Sequence, residues 1–170
     1  MEDNSGKRLA LAERGATAIE FALVFPLLFA LLYGVVVYAY LFVMQESITY
    51  AAQQGASAAV NVSPVAFGGD VAGYRASVEQ SIRCNAARTL RWLPQAQRPA
   101  AAGCDGLEDG DGGVQILVPA PEGPPTVYNV ELRFAPASVF PQVSLPFFGE
   151  FPPLPQAVVA TASVLLGESP

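Results

Sequence analysis

The sequence contains no histidine, and its only lysine is Lys7, close to the N-terminus. Without histidine, the chain cannot build a Ser-His-Asp triad, a Cys-His pair or a histidine-based metal site. A Ser-Lys dyad is likewise excluded from the sequence that follows Lys7. A glycosidase needs only carboxylates, but no pair of acidic residues stands out here as a catalytic pair. The sequence therefore predicts a protein that is not an enzyme, and it indicates no cofactor.

Charged residues are scarce as well. They make up 14% of the chain, whereas about a quarter is usual in a soluble domain. The net charge of −6 argues against nucleic acid as a partner, since nucleic-acid binding needs a basic surface. The deficit of charge is concentrated in residues 21–44, which include no Asp, Glu, Lys or Arg. At about 1.5 Å per residue this run spans roughly 36 Å, enough to cross the hydrocarbon core of a membrane.

Basic residues near this run predict its orientation. Lys7, Arg8 and Arg14 precede the run, and the next basic residue is Arg75. Because positive charge favours the cytoplasmic side, the N-terminus is expected in the cytoplasm and the C-terminal part outside the inner membrane. The far end of the run and its exit carry tyrosines typical of a membrane interface: Tyr33, Tyr38, Tyr40 and Tyr50.

Beyond the apolar run, the pattern predicts more helix and then a second helix. Residues 45–60 are rich in Ala and Gln and are expected to continue the first helix outward. A second, amphipathic helix is predicted over residues 70–93, with Asp70 as its N-cap and Pro94 as its end. Its core-facing stripe is expected to consist of Val71, Tyr74, Val78, Ile82, Leu90 and Leu93.

The C-terminal part changes to a period of two, which is typical of half-buried antiparallel strands. Strands are predicted at 114–118, in TVYNVELRF at 126–134 and in QAVVATASVLL at 156–166. The expected fold class is α+β, with a long N-terminal helix, an amphipathic helix and a small antiparallel sheet. The expected domains are a cytoplasmic leader at 1–15, a membrane and extended helix at 16–60, and an extracytoplasmic domain at 61–170.

The most specific signal lies at the start of the apolar run. Gly15 ends the charged leader, Glu20 follows five positions later, and the aromatic Phe21 comes next. A carboxylate at the mouth of a membrane helix invites a functional explanation, although a wet position near the headgroups would also account for it. This leader, spacing and helix length resemble the class III signal of type IV pilin-like proteins. Residues 14–57 resemble, more narrowly, the TadE-like family of the tight-adherence (Tad, or Flp) pilus system.

The resemblance implies a minor pilin-like (pseudopilin-like) component of pilus assembly that works with other pilin-like subunits and the Tad secretion machinery. It also implies cleavage between Gly15 and Ala16 by a prepilin peptidase. The new α-amino group at Ala16 could then pair with Glu20 of a neighbouring subunit, which would set the register between packed helices. The alternative is an unrelated signal-anchored protein whose extracytoplasmic domain binds a partner or ligand.

Two features of the later sequence bear on disulfides and metals. Cys84 and Cys104 are the only cysteines, and their predicted oxidising compartment favours a disulfide, with two free thiols as the alternative. The loop CDGLEDGDGG could hold Ca²⁺ through clustered carboxylates, but Leu107 stands where an EF-hand needs a ligand. A solvated acidic loop without a metal is therefore the favoured interpretation. Its acids are Asp105, Glu108, Asp109 and Asp111.

Overall fold

A computed structural model describes residues 5–120, 126–140, 142–145 and 149–166. Within these ranges, two α-helices and five strands follow one another, which confirms the predicted α+β class. They are α1 (Ser5–Ala59), α2 (Val71–Thr89), β1 (Val114–Leu117), β2 (Thr126–Phe134), β3 (Val143–Leu145), β4 (Gly149–Phe151) and β5 (Val158–Leu166). The chain divides into two compact units, residues 1–40 and residues 41–170. The domain boundaries expected at residues 15 and 60 stay a prediction.

The first unit consists of the N-terminal part of α1. The helix continues through Pro26. Proline removes one backbone hydrogen-bond donor, but membrane helices tolerate this loss. Large apolar side chains between Ile19 and Val36 are exposed, and exposure of that much apolar surface to water is unfavourable. Within the part of the chain that the structure describes, Ala18–Ala59 is the one helix long and apolar enough to cross a membrane. This agrees with the predicted single-pass anchor.

In the second unit, the end of α1 packs closely on α2. A Cβ built on Gly55 would stand 3.1 Å from the carbonyl oxygen of Ile82 and 3.3 Å from the Cβ of Ala86. The Ser81 hydroxyl donates a hydrogen bond to the Ala58 carbonyl at 3.3 Å. Small side chains on α1 make this approach possible, and several of them are buried: Ala51, Ala52, Ala56, Ala58 and Ala59.

The second helix begins as predicted but ends earlier. The Asp70 side chain accepts a hydrogen bond from the Gly73 N–H at 3.1 Å, which confirms the N-cap. The helix ends at Thr89, so the predicted end at Pro94 was wrong. Leu90 donates its N–H to Ala87, a three-residue closure that tightens the last turn. A proline ring clashes with the carbonyl four residues before it, so the helix has to stop ahead of Pro94.

The predicted core stripe is largely confirmed. Val78, Ile82, Leu90 and Leu93 are buried, and the last two lie in the turns after the helix rather than on it. Val71 was placed in the stripe wrongly, because it is 59% exposed. It is the first residue of α2, and the first α2 residue to be fully buried comes two turns later.

A three-stranded antiparallel sheet has the order β1-β2-β5. Val114 and Val158 both lie opposite Phe134 on the central strand. The predicted alternation of β2 is confirmed, because one face is buried while residues of the other face are at least partly exposed. The buried residues of β2 are Tyr128, Val130, Leu132 and Phe134.

A second, two-stranded sheet was not predicted. β3 and β4 pair antiparallel, with Val143 opposite Phe151 and Leu145 opposite Gly149. Each strand is three residues long, which is too short to show a period of two. Prolines at positions 141, 146 and 152 surround them in the sequence, and proline argues against strand structure.

Candidate functional site

The candidate cleavage junction, Gly15–Ala16, lies inside α1. The helix includes Ser5, ten residues earlier, so residues 5–15 of the leader are continuous with the membrane helix. A peptidase binds its substrate in an extended form, and cutting here would therefore require the helix to unwind locally. Gly15 makes unwinding easier, since glycine in a helix interior is about 1 kcal/mol less favourable than alanine.

Glu20 lies about one helical turn, roughly 6 Å along the axis, after Ala16. Its side chain is exposed, and it has no hydrogen bond or ion pair with any residue whose side chain is described. Between Arg14 and Gln45 it is the only charged residue in the sequence. This carboxylate therefore stands on an apolar stretch of helix where no side chain that the structure describes neutralises it.

Phe21 belongs to an aromatic row along one side of α1. Its ring stacks on that of Phe25, with centroids 5.3 Å apart, and Phe25 stacks in turn on Phe29 at 6.3 Å. The spacing of four residues places the three rings on successive turns of the same face. The Phe21 ring therefore packs against its own helix. Successive residues of a helix point about 100° apart around the axis, so Glu20 and Phe21 face different directions.

Cys84 and Cys104 form a disulfide, with their Cα atoms 5.4 Å apart. The bond ties α2 to the loop that follows it. One turn earlier on α2, the side-chain amide of Gln80 donates to the carbonyl oxygen of Gly103 at 2.7 Å. The loop is thus fastened to the helix at two neighbouring points.

Two acids of the loop bind the loop itself. The Asp109 carboxylate accepts the N–H of Ala101 at 2.6 Å, and Glu108 pairs with Arg98 at 3.2 Å. Gly110 packs on the Arg98 backbone, where an added Cβ would collide with the carbonyl group. In the described part of the chain, no three Asp, Glu or Cys residues cluster as metal ligands would.

A cleft of about 310 Å³ lies beside this loop. The Arg98 guanidinium lines it but is already engaged, because it donates to the Leu93 carbonyl at 2.7 Å and pairs with Glu108. The Arg98 guanidinium is therefore not free to bind a ligand in this cleft. Its other lining residues are Ala87, Arg91, Pro99, Ala101, Gly106 and Leu107.

Tyr128 is a residue whose role the sequence did not reveal. Its side chain is buried, and its hydroxyl has no hydrogen-bond partner among the described residues. Burial raises the pKa of the Tyr128 phenol, while the positive charge of Arg75 partly opposes that shift. The alternation of β2 predicted a half-buried strand, but it did not show that the Tyr128 hydroxyl would be buried.

The comparison with protein families matches the segment that contains Gly15, Ala16, Glu20 and Phe21. Residues 15–57 match the model of the family described as TadE-like protein. Curated proteins and solved structures give no match. The match begins at Gly15 and includes Glu20, Phe21 and Gly55, whereas α2 and the sheet lie outside it. The predicted resemblance is therefore confirmed for this segment: residues 15–57 are similar to the TadE-like family.

Proposed function

We propose that the protein is a non-enzymatic, minor pilin-like component of Tad (Flp) pilus assembly, anchored in the bacterial inner membrane by α1. The observation that carries the proposal is the coincidence of three features at one place. The TadE-like match begins at Gly15, Glu20 is the one charge in an otherwise apolar stretch, and the helix that follows is long enough to cross a membrane.

The N-terminus lies in the cytoplasm and the second unit lies outside the inner membrane. Lys7, Arg8 and Arg14 support this orientation through the positive-inside rule. The disulfide between Cys84 and Cys104 supports it independently, since disulfides persist in oxidising compartments such as the periplasm.

A prepilin peptidase cuts between Gly15 and Ala16 and leaves an α-amino group at Ala16. That cation and Glu20 lie about one helical turn apart on the same helix. Two parallel helices shifted by about a turn would bring the amino group of one against the carboxylate of the next. Such a pair removes the cost of an isolated carboxylate near lipid and fixes the register of neighbouring pilin-like subunits.

The processing step is tested by the intact mass of the membrane-extracted protein, expressed with and without the cognate prepilin peptidase. We expect loss of residues 1–15 only when the peptidase is present. A mass that retains the leader in both samples would overturn processing at Gly15.

The role of Glu20 is tested by piliation of cells that carry Glu20→Gln. We expect loss of assembly, with the Cys84–Cys104 disulfide still formed as a sign of a folded second unit. Glu46→Gln is the matched control, because Glu46 is an exposed carboxylate on the same helix beyond the apolar run. Normal piliation by Glu20→Gln would contradict the assembly role. Function that survives replacement of residues 1–40, the first unit, by a generic anchor would favour a signal-anchored binding protein instead.

A further inference from the structure

β5 is an edge strand of the three-stranded sheet. β5 pairs with β2 along its whole length, from Val158 opposite Phe134 to Leu166 opposite Thr126. On its other side, none of its backbone groups has a backbone partner within the described part of the chain. Nine residues at about 3.4 Å each give an edge roughly 30 Å long, along which the N–H and C=O groups of alternate residues point away from β2.

This edge lacks the features that usually protect an edge strand from pairing. Natural edges are blunted by charged side chains, proline, bulges or short length. The strand VVATASVLL contains no charged residue and no proline, and its register with β2 is uninterrupted. Two of its outward side chains are apolar, with Val159 44% exposed and Leu165 62% exposed.

The residues of β5 are also arranged symmetrically about Ala162. Val158 and Leu166 are large and apolar, as are Val159 and Leu165, while Thr161 and Ser163 both carry hydroxyls. An antiparallel copy centred on Ala162 therefore places like against like at each of these positions. It sets Val159 against Leu165 and Thr161 against Ser163, pairs that stabilise antiparallel sheets through apolar contact and hydrogen bonding.

We propose that β5 pairs antiparallel with β5 of a second copy of this chain, centred on Ala162. The two sheets then form one continuous sheet of six strands across a two-fold axis, which is the symmetry of most homodimers. Each copy covers the exposed Val159 and Leu165 of the other and satisfies its open backbone groups. This inference does not depend on the proposed function.

A second copy fits this edge better than a strand of different chemistry would. Self-pairing brings no like charges together, because β5 has no charge to repel its own copy. The opposite edge of the sheet gives less to a partner, since β1 has only four residues. Its sequence reaches a proline at position 119, which limits extension of the strand.

The pairing is tested by cysteine cross-linking of the full-length protein in membranes. Residues directly opposite one another in an antiparallel pair have Cα atoms about 4.5–5.5 Å apart, within the range that a disulfide spans. Ala162→Cys should therefore form a covalent dimer under mild oxidation, several-fold more than Gln115→Cys on the exposed face of β1. Equal or lower cross-linking of Ala162→Cys would overturn the proposal.

A charge variant tests the same contact without a new thiol in the sheet. T161K/S163K places lysines opposite each other in both symmetric pairs, and the dimer of the full chain in detergent should weaken about tenfold or more. The matched control, Q115K/N129K, adds the same charge to the same face of the sheet, away from the β5 edge. Equal dimerisation of the two variants would contradict the β5 interface, as would a dimer unchanged from the unmodified protein.

Discussion

Gly55 on α1 lies directly against Ile82 on α2, so that a Cβ at position 55 would stand 3.1 Å from the Ile82 carbonyl oxygen. The obstructing atom belongs to the backbone and cannot rotate away as a side chain could. The TadE-like match ends two residues later, at residue 57. The last residues of the TadE-like segment therefore pack against α2, and α2 itself lies outside that segment.

We expect Gly55→Leu to destabilise the second unit by about 1–3 kcal/mol, the usual cost of overpacking a close contact. The larger side chain must push α2 away from α1 and would disturb the buried alanines around it. The measurement is the thermal unfolding midpoint of the full chain in detergent, followed by near-UV circular dichroism.

Gly34→Leu is the control for that substitution. A Cβ at Gly34 would meet nothing within 4 Å, so the same change there should leave the midpoint of the second unit unaltered. Equal losses at positions 34 and 55 would show that the effect does not arise from the contact with Ile82.

The double variant C84S/C104S should lose about 3 kcal/mol of stability. The bond closes a loop with a sequence separation of 20. In the chain-entropy model, a cross-link over this length raises the free energy of the unfolded chain by about 3 kcal/mol. Denaturant unfolding of the oxidised protein, the reduced protein and the variant measures it. Reduction should shift the midpoint of the unmodified protein to nearly that of the variant. A midpoint insensitive to reduction would contradict a stabilising disulfide.

Asp70→Ala should destabilise the protein by about 1 kcal/mol, because it removes the side-chain acceptor of the Gly73 N–H at the start of α2. Asp70→Asn is the matched control, since asparagine retains an acceptor oxygen and is an equally good N-cap. Denaturant midpoints of the two variants separate the cap from the charge. Equal losses in both would assign the effect to the negative charge instead.

Much of this fold could be predicted because its signals are local. The apolar run at 21–44, the Asp70 cap and the alternation of β2 each depend on neighbouring residues, and each has its expected place in the structure. The end of α2 was predicted four residues too late. A proline shows that a helix must end before it, but it does not show how many residues before it the helix ends.

Other features depend on residues far apart in the sequence, and the sequence could not show them. In the sequence, Gly55 is only a glycine within a helix, and its contact with Ile82 is visible only in the structure. The acids of the loop suggested a solvated surface, yet Asp109 holds the Ala101 amide and Glu108 holds Arg98. The candidate site is a different case, since Gly15, Glu20 and Phe21 are predicted from their spacing within a single segment.

Tyr128→Phe should leave the protein as stable at neutral pH, or stabilise it by about 1 kcal/mol. The substitution removes a buried hydroxyl that has no hydrogen-bond partner among the described residues, and such a group costs free energy when it leaves water. The apolar ring keeps its packing on the buried face of β2. Tyr50→Phe is the control, because Tyr50 is exposed and its replacement should change little. A clear loss of stability in Tyr128→Phe would indicate that the hydroxyl has a partner.

The same residue predicts how stability depends on pH. Burial raises the pKa of Tyr128 above its usual value of 10.0, so the unfolded chain releases this proton at a lower pH than the folded protein does. The contribution of Tyr128 to stability is therefore complete below about pH 10 and is lost as the pH rises through the raised pKa. Unfolding midpoints of the unmodified protein should consequently fall more steeply above pH 10 than those of Tyr128→Phe. Parallel curves for the two proteins would mean that Tyr128 titrates alike in the folded and unfolded chains, which a desolvated phenol cannot do.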